Sequence, residues 1–218
     1  MAVLRRGGPY IWITWLTKLL AGEVNCEWAS WFKSQHEGNS WERSSSGFDL
    51  VRWQVGHTDM LRRCAQEHRQ QGYTVTMEGQ NSFTLQGKTA TLAGKPDLVV
   101  HRDNLVTVID IKTGRPRASD QVQVMLYMHL LALVRPEFQG CAVTGQVVYS
   151  NHVVDIPNEA VDDSFVTSAR DLISRVAARE SASKVPSWSE CRYCEITSAD
   201  CPDRMEAPAA DAARTDFF

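Results

Sequence analysis

The sequence of 218 residues predicts an α/β fold in which helices flank a mixed β-sheet core. Short runs rich in β-branched residues fill positions 73–112, which is typical of consecutive strands. Helical patterns precede and follow these runs, at positions 48–71, 118–134 and 159–180. With 43% hydrophobic residues, the chain is long enough for one well-packed domain and too short for two large ones.

Four segments are expected along the chain. Positions 1–47 are predicted to form a helical N-terminal arm, and positions 48–182 the core domain. Within the core, the five strand runs of positions 73–112 are predicted to form a meander, followed by a helix, two strands (AVTGQVVYS and NHVVDIP) and an amphipathic helix. Positions 183–204 carry clustered cysteines, and positions 205–218 are predicted to be disordered.

Charge and hydropathy narrow the possible classes of protein. The net charge of −3 provides no overall attraction to phosphate, so affinity for nucleic acid would depend on local basic patches and bound cations. The apolar stretch near the N-terminus is interrupted by Thr14, Thr17 and Lys18 and lacks a convincing cleavage site, so we read it as neither a signal peptide nor a membrane span. We expect a cytoplasmic protein with no membrane partner.

Two carboxylates and a lysine are predicted to meet at one end of the sheet. Asp110 and Lys112 lie two residues apart in VIDIKT, so their side chains project from the same face of the strand. The GKPD sequence places Asp97 at the start of the neighbouring strand, at the same end as Asp110. Two carboxylates can share Mg²⁺ or Mn²⁺, and Lys112 would stabilise charge on an attacked phosphate. The pattern predicts hydrolysis of phosphodiesters.

Other polar residues are candidates to assist this site. Gln123 and Tyr127 are spaced i, i+4 on the helix that follows, so they share a face and could hold the substrate backbone. His57 supplies an imidazole that could be a further metal ligand. Arg115 and Arg117 follow the lysine directly and are placed to contact phosphates of DNA.

Four motifs occur in a fixed order along the chain. They are a helical Gly-His, G-x-x-D, D-x-K and Q-x3-Y, at Gly56 and His57, Gly94 to Asp97, Asp110 to Lys112, and Gln123 to Tyr127. This set, within positions 50–135, resembles the PD-(D/E)xK nucleases of the RecB-like branch, which have a restriction-endonuclease-like fold.

The resemblance implies roles for individual residues. His57, Asp97, Asp110 and the main-chain carbonyl of Ile111 would bind the Mg²⁺ or Mn²⁺ ion, and Lys112 would be the catalytic lysine. Two further residues are candidates for this site. His68 competes with His57 for the histidine role, and Glu78 sits where the family often has an acidic residue.

The cysteines suggest a second metal site. Three are spaced C-x2-C-x6-C near the C-terminus and a fourth lies in the N-terminal arm: Cys191, Cys194, Cys201 and Cys26. Four thiolates bind either an Fe–S cluster or tetrahedral Zn²⁺, and either group would join the two ends of the chain. Cys64 and Cys141 lack partners at ligand spacing and are predicted to be buried as small apolar residues.

One N-terminal cysteine and a C-terminal triplet around such a domain resemble the CRISPR-associated Fe–S exonucleases and the nuclease domain of AddB-type helicase–nucleases. This resemblance implies a 4Fe–4S cluster, a DNA substrate that is single-stranded or has single-stranded ends, and CRISPR integrase proteins as partners. It leaves open a RecB/AddB-like nuclease of recombination, repair or phage DNA processing, and a catalytically silent adaptor that binds DNA ends. Trp41 and Trp53 are candidates for contact with DNA bases.

Overall fold

The computed structural model describes residues 3–45 and 49–207. The strands in this part of the chain are β1 Tyr10–Trp12, β2 Thr74–Met77, β3 Phe83–Gln86, β4 Thr91–Gly94, β5 Leu98–Arg102, β6 Leu105–Lys112, β7 Ala142–Tyr149 and β8 Val153–Ile156. The helices are α1 Thr17–Leu20, α2 Trp28–Gln35, α3 Leu50–Gln70, α4 Ala118–Val134, α5 Asp163–Ala177 and α6 Trp188–Cys191. The boundary predicted between positions 47 and 48, and positions 208–218 of the predicted tail, lie outside the described residues.

The larger sheet has five strands in the order β2-β5-β6-β7-β8. Its central pair, β6 and β7, is parallel and is connected through α4, whereas the other neighbours are antiparallel. β5 and β6 form a hairpin whose turn contains Asp103 in the left-handed region, at φ 54°. The predicted mixed sheet with flanking helices is confirmed.

The strands between β2 and β6 do not form the predicted meander. β3 and β4 leave the larger sheet and form a second one with β1, in the order β1-β4-β3. The chain crosses between the sheets at Lys95 and Pro96, where proline interrupts the strand pattern. The prediction was wrong because it assumed that strands adjacent in sequence pair with each other.

The N-terminal arm contains a strand as well as helices. β1 pairs in parallel with β4, so the prediction of helices alone was wrong. Ile11, Ile13 and Leu16 are fully buried in the main hydrophobic core, so the arm is part of the packed body. A short apolar run such as YIW cannot be assigned to helix or strand by periodicity alone.

Two helices cover opposite faces of the larger sheet. On β6, Ile109 and Ile111 pack beneath α3, while Val106 and Val108 alternate to the face that α4 covers. α4 comes close to the sheet at Gly145 of β7, where a Cβ would clash with a methyl group of Val124. The end of β6 is therefore enclosed by α3 on one side and α4 on the other.

Local features of the sequence explain where α3 begins and ends. Its N-cap is Asp49, whose carboxylate accepts a hydrogen bond from the backbone N–H of Arg52 at 3.0 Å. The helix ends before Gly72, which has a φ of 84° that favours glycine. No helix in the described part of the chain is both long and apolar enough to cross a membrane.

Candidate active site

Asp97 lies directly before β5 and faces the end of β6. One carboxylate oxygen, Oδ2, accepts a hydrogen bond from the backbone N–H of Ile111 at 2.8 Å and lies 3.2 Å from Nε2 of His57. The main-chain carbonyl of Asp97 accepts a hydrogen bond from the N–H of Glu78 at 2.8 Å. Asp97 thus connects α3, the end of β2 and the end of β6.

Asp110 and Lys112 project from the same face of β6, as strand alternation predicts. The Lys112 ammonium lies 2.7 Å from Oδ2 of Asp110. Gln123 of α4 binds both groups: its amide nitrogen donates to Oδ1 of Asp110 at 2.8 Å, and its amide oxygen accepts from Lys112 at 3.1 Å. Gln123, which was predicted to hold the substrate backbone, is thus hydrogen-bonded to Asp110 and Lys112.

The ionisation of this cluster is set by burial and by its own charges. Burial raises the pKa of Asp110, with a further rise from the charge of Asp97, against the lowering effect of Lys112. Burial alone would lower the pKa of Lys112, but attraction to Asp110 outweighs it and raises that pKa. Lys112 is therefore an ammonium ion at neutral pH.

His57 reaches the site from α3, whereas His68 does not. His57 is 7% exposed, and its hydrogen bond to Asp97 raises its pKa although burial opposes the rise. His68 lies three turns further along the helix, where its Nδ1 bonds to the carbonyl of Cys64 and its ring packs against Tyr73. Of these two histidines, His57 is the one beside the carboxylates.

Tyr127 is buried behind the site. It is 2% exposed and meets the ring of Phe83 edge-on, with centroids 6.2 Å apart. Burial raises its pKa, so the phenol is neutral. The glycine of the G-x-x-D motif is explained by the same packing, since a Cβ on Gly94 would lie 2.6 Å from Phe83 and 2.8 Å from Tyr127.

Arg115 and Arg117 lie on the exposed loop between β6 and α4, and no ion pair joins either of them to another residue of the described chain. Asp120 holds the end of this loop: its Oδ2 accepts hydrogen bonds from the N–H of Arg117 at 3.0 Å and from the hydroxyl of Tyr149 at 2.9 Å. Glu78 is also exposed, beside Asp97.

Sequence reasoning missed Glu23, which positions the helix that carries Gln123. Its carboxylate accepts hydrogen bonds from the backbone N–H of Ser119 at 2.8 Å and from the Ser119 hydroxyl at 2.9 Å. Glu23 therefore provides a hydrogen-bond acceptor for a backbone N–H in the first turn of α4, a helix whose N-cap residue makes no side-chain capping bond. The two residues are 96 positions apart, and no local pattern signals the pairing.

The donor set suits a hard cation. Two carboxylates at the same end of the sheet and an imidazole are oxygen and nitrogen ligands of the kind that Mg²⁺ and Mn²⁺ accept, and a cation would offset the cost of ionising the buried Asp110. Among residues 3–45 and 49–207, no three His, Cys, Asp or Glu side chains are arranged as a ready-made ion site. In the described structure, the two carboxylate oxygens of Asp110 are contacted by Lys112 and Gln123.

The four predicted cysteines line one cavity of about 340 Å³. None of these four cysteines is in a disulfide, and Glu190 holds Cys26 in place by accepting a hydrogen bond from its backbone N–H at 3.1 Å. Lys33 also lines the cavity. Elsewhere, Cys64 is buried as predicted, whereas Cys141 is only half-buried.

The two tryptophans proposed to contact DNA differ in position. Trp41 is 9% exposed and packs with Cys201 and Phe32 in the core beside the cysteine cavity, so the prediction that it contacts DNA was wrong. Trp53 is 37% exposed and stacks on His57, with ring centroids 4.9 Å apart. Aromatic residues of the N-terminal arm form the hydrophobic cluster around Trp41. The sequence pattern alone could not distinguish aromatic residues packed in such a cluster from aromatic residues on a DNA-binding surface.

A family model described as the PD-(D/E)XK nuclease superfamily matches residues 14–201, and the chain belongs to this superfamily. Its members are nucleases, which typically use Mg²⁺ or Mn²⁺. Among solved structures, the crystal structure of SSO0001 is similar in fold, with a TM-score of 0.51 and 19% identity over 92% of this chain and 89% of that one. Comparison with curated protein sequences gives no match.

Proposed function

We propose that this chain is a metal-dependent exonuclease that hydrolyses the phosphodiester bonds of DNA, with a preference for single strands. The observation that carries the proposal is the cluster of Asp97, Asp110, Lys112 and Gln123 at the end of β6, in a chain of the nuclease superfamily. His57 joins the cluster through Asp97.

The cation would be held by His57, Asp97, Asp110 and the main-chain carbonyl of Ile111. A bound Mg²⁺ or Mn²⁺ supplies Lewis-acid chemistry, polarising a phosphoryl oxygen and lowering the pKa of a water molecule.

The chain's own groups orient the substrate and stabilise charge. Lys112 is a quarter exposed, so its ammonium can meet a phosphate oxygen from the solvent side. Because Asp110 raises its pKa, Lys112 is suited to stabilise negative charge on the phosphorane rather than to act as a base. Gln123 holds the side chains of Asp110 and Lys112 in place by hydrogen bonds. The buried Tyr127 supports the helix that carries Gln123. Arg115 and Arg117 lie on an exposed loop from which they can reach phosphates further along the strand.

The experiment compares digestion of end-labelled single strands, closed single-stranded circles and duplexes in Mg²⁺ or Mn²⁺. Shortening of linear single strands, with circles left intact, is the expected result for an exonuclease. Lys112→Met should reduce the rate by about 10²–10³-fold because one stabilising charge is lost. Lys88→Met, which removes an exposed lysine of the β3–β4 turn, is the matched control and should cleave at the wild-type rate. Equal rates for the two variants would exclude the assigned role of Lys112.

We also propose that Cys26, Cys191, Cys194 and Cys201 ligate an Fe–S cluster, with 4Fe–4S as the expected type and zinc as the alternative. Their common cavity supports this, since all four cysteines line it together with Lys33, whose ammonium lies 3.7 Å from Glu195. Anaerobically purified protein should contain iron and sulfide, which Cys191→Ser loses and Cys141→Ser retains. Colourless wild-type protein with bound zinc would contradict the cluster.

The cluster-bearing nuclease we propose would act in CRISPR prespacer processing, together with CRISPR integrase proteins. The support is the resemblance carried by the four cysteines and the nuclease motifs. The test uses an integrase encoded beside this chain. The two proteins should co-purify, and this chain should trim the DNA ends that the integrase uses. Neighbouring genes for recombination or phage functions alone would contradict it.

A further inference from the structure

Asp97 lies where the chain crosses from one sheet to the other. β4 ends at Gly94 and β5 begins at Leu98, so residues 95–97 lie between the two strands. Pro96 is nevertheless buried, and its carbonyl therefore needs a hydrogen-bond partner inside the protein. The groups that hold this crossing segment also hold the carboxylate of Asp97.

A short 3-10 helix, Glu78–Asn81, is hydrogen-bonded to both of the peptide groups that flank Asp97. At its first residue, the backbone N–H of Glu78 donates to the carbonyl of Asp97 at 2.8 Å. At its last residue, Nδ2 of the Asn81 side chain donates to the carbonyl of Pro96 at 3.3 Å. We call this helix the 78–81 turn. The peptide before Asp97 and the peptide after it are thus held by the same turn.

The amide of Asn81 is buried, and both of its ends are hydrogen-bonded. Asn81 is 1% exposed. Nδ2 donates to the carbonyl of Thr76 at 3.0 Å as well as to that of Pro96, and Oδ1 accepts from the hydroxyl of Thr76 at 2.6 Å. Breaking any of these bonds would leave a buried polar group without a partner, which is costly. Asn81 therefore ties the carbonyl of Pro96 firmly to β2.

The backbone of the 78–81 turn is strained at the residue that bonds to Asp97. Glu78 has a φ of 39°, in the left-handed region that residues with a side chain rarely adopt. Such strain persists only where the surrounding contacts determine it, and it is concentrated at functional sites. The conformation supports a role for the turn at the carboxylate as well as in the sheet.

We propose that Asn81 is a positioning residue that sets the affinity of the candidate site for Mg²⁺ or Mn²⁺. This rests on the proposed nuclease function, in which Asp97 is a ligand of the cation. If the Pro96 carbonyl is released, the Asp97 carboxylate is free to move away from His57 and Asp110, and ordering it again when the ion binds costs free energy. Residues that orient metal ligands typically contribute about 10–100-fold to metal affinity.

The experiment measures the binding of Mn²⁺ in the absence of DNA. The electron paramagnetic resonance signal of free Mn²⁺ falls as the ion binds, and the binding that Asp110→Asn lacks is assigned to the candidate site. Asn81→Ala should weaken this binding by about tenfold. Ser34→Ala is the matched control, because Ser34 is also fully buried and its hydroxyl donates to the carbonyl of Val176 at 2.9 Å, between α2 and α5. It should lose comparable stability in urea and bind Mn²⁺ as wild type does.

Cleavage of single-stranded DNA gives a second measurement. Asn81→Ala should need about tenfold more Mn²⁺ for half of its maximal rate and should approach the wild-type rate at saturating Mn²⁺. A merely structural role predicts lower stability with an unchanged Mn²⁺ requirement. If Asn81→Ala does not fold, Gln80→Ala decides. Gln80 is exposed, and its Oε1 accepts from the N–H of Met77 at 3.0 Å at the start of the turn, so its loss should weaken Mn²⁺ binding by about threefold.

The outcomes separate the role of Asn81 from the nuclease proposal. Unchanged Mn²⁺ binding by folded Asn81→Ala, or equal weakening in Ser34→Ala, overturns the role of Asn81 and leaves the nuclease intact. Wild-type binding by Gln80→Ala overturns it in the same way if Asn81→Ala is unfolded. Wild-type protein that binds no more Mn²⁺ than Asp110→Asn overturns the proposed metal site, and the role of Asn81 with it.

Discussion

Gly94→Ala adds a methyl group between two aromatic rings at the motif that leads into Asp97. The new Cβ would lie 2.6 Å from Cζ of Phe83 and 2.8 Å from Cε1 of Tyr127, well inside an ordinary contact of 3.4 Å or more. Tyr127 is 2% exposed and cannot turn into solvent, so the rings or the strand must shift. Overpacking of this kind lowers the free energy of unfolding by about 1–3 kcal/mol.

The assay is urea unfolding together with thermal melting. For a chain of this size, that loss corresponds to a fall in Tm of roughly 5 °C. Gly7→Ala is the control, since no atom lies within 4 Å of its Cβ position, and its free energy of unfolding should stay within about 0.5 kcal/mol of wild type. A Gly94→Ala protein as stable as Gly7→Ala would refute the described packing of Phe83 and Tyr127.

Two further predictions concern the arm and the histidine. Glu23→Ala should lower the free energy of unfolding by about 1–2 kcal/mol in urea, because the N–H and hydroxyl of Ser119 lose their acceptor; an unchanged midpoint would show that water replaces it. Asp97→Asn should lower the pKa of His57 in an NMR titration, because the hydrogen bond to Asp97 raises that pKa against burial. Since the folded-state pKa is raised, the stability from this pair is present below about pH 6.5 and is lost as pH rises through the raised pKa. Wild-type protein should therefore lose more stability than Asp97→Asn between about pH 6 and pH 9, and equal losses would contradict the pairing.

The parts of the site that depend on local geometry were predictable from the sequence. Strand alternation places Asp110 beside Lys112, and the i, i+4 spacing places Gln123 and Tyr127 on the inner side of α4. The hairpin between β5 and β6 brings Asp97 to the same end. Each of these inferences needs only neighbouring elements of the chain.

The parts that depend on distant pairing were not predictable. β1 pairs with β4, which lies about 80 residues further along the chain, and nothing in the YIW run indicates a parallel partner. Glu23 and Ser119, and Glu190 and Cys26, meet only after the arm has packed on the core. Trp41 and Trp53 are the same residue type, but Trp41 is buried and Trp53 is 37% exposed, which the sequence does not show.

In the proposed nuclease, Asp110 would help to hold the cation at the site where the phosphodiester is hydrolysed. This role is tested by the rate of single-strand cleavage in Mn²⁺ by Asp110→Asn, compared with wild type and with Asp59→Asn, which changes an exposed aspartate of α3. We expect Asp110→Asn to be slower by about 100-fold or more and Asp59→Asn to match wild type, since metal-assisted charge stabilisation contributes several kcal/mol. Cleavage by folded Asp110→Asn at the wild-type rate would contradict the assignment of this site.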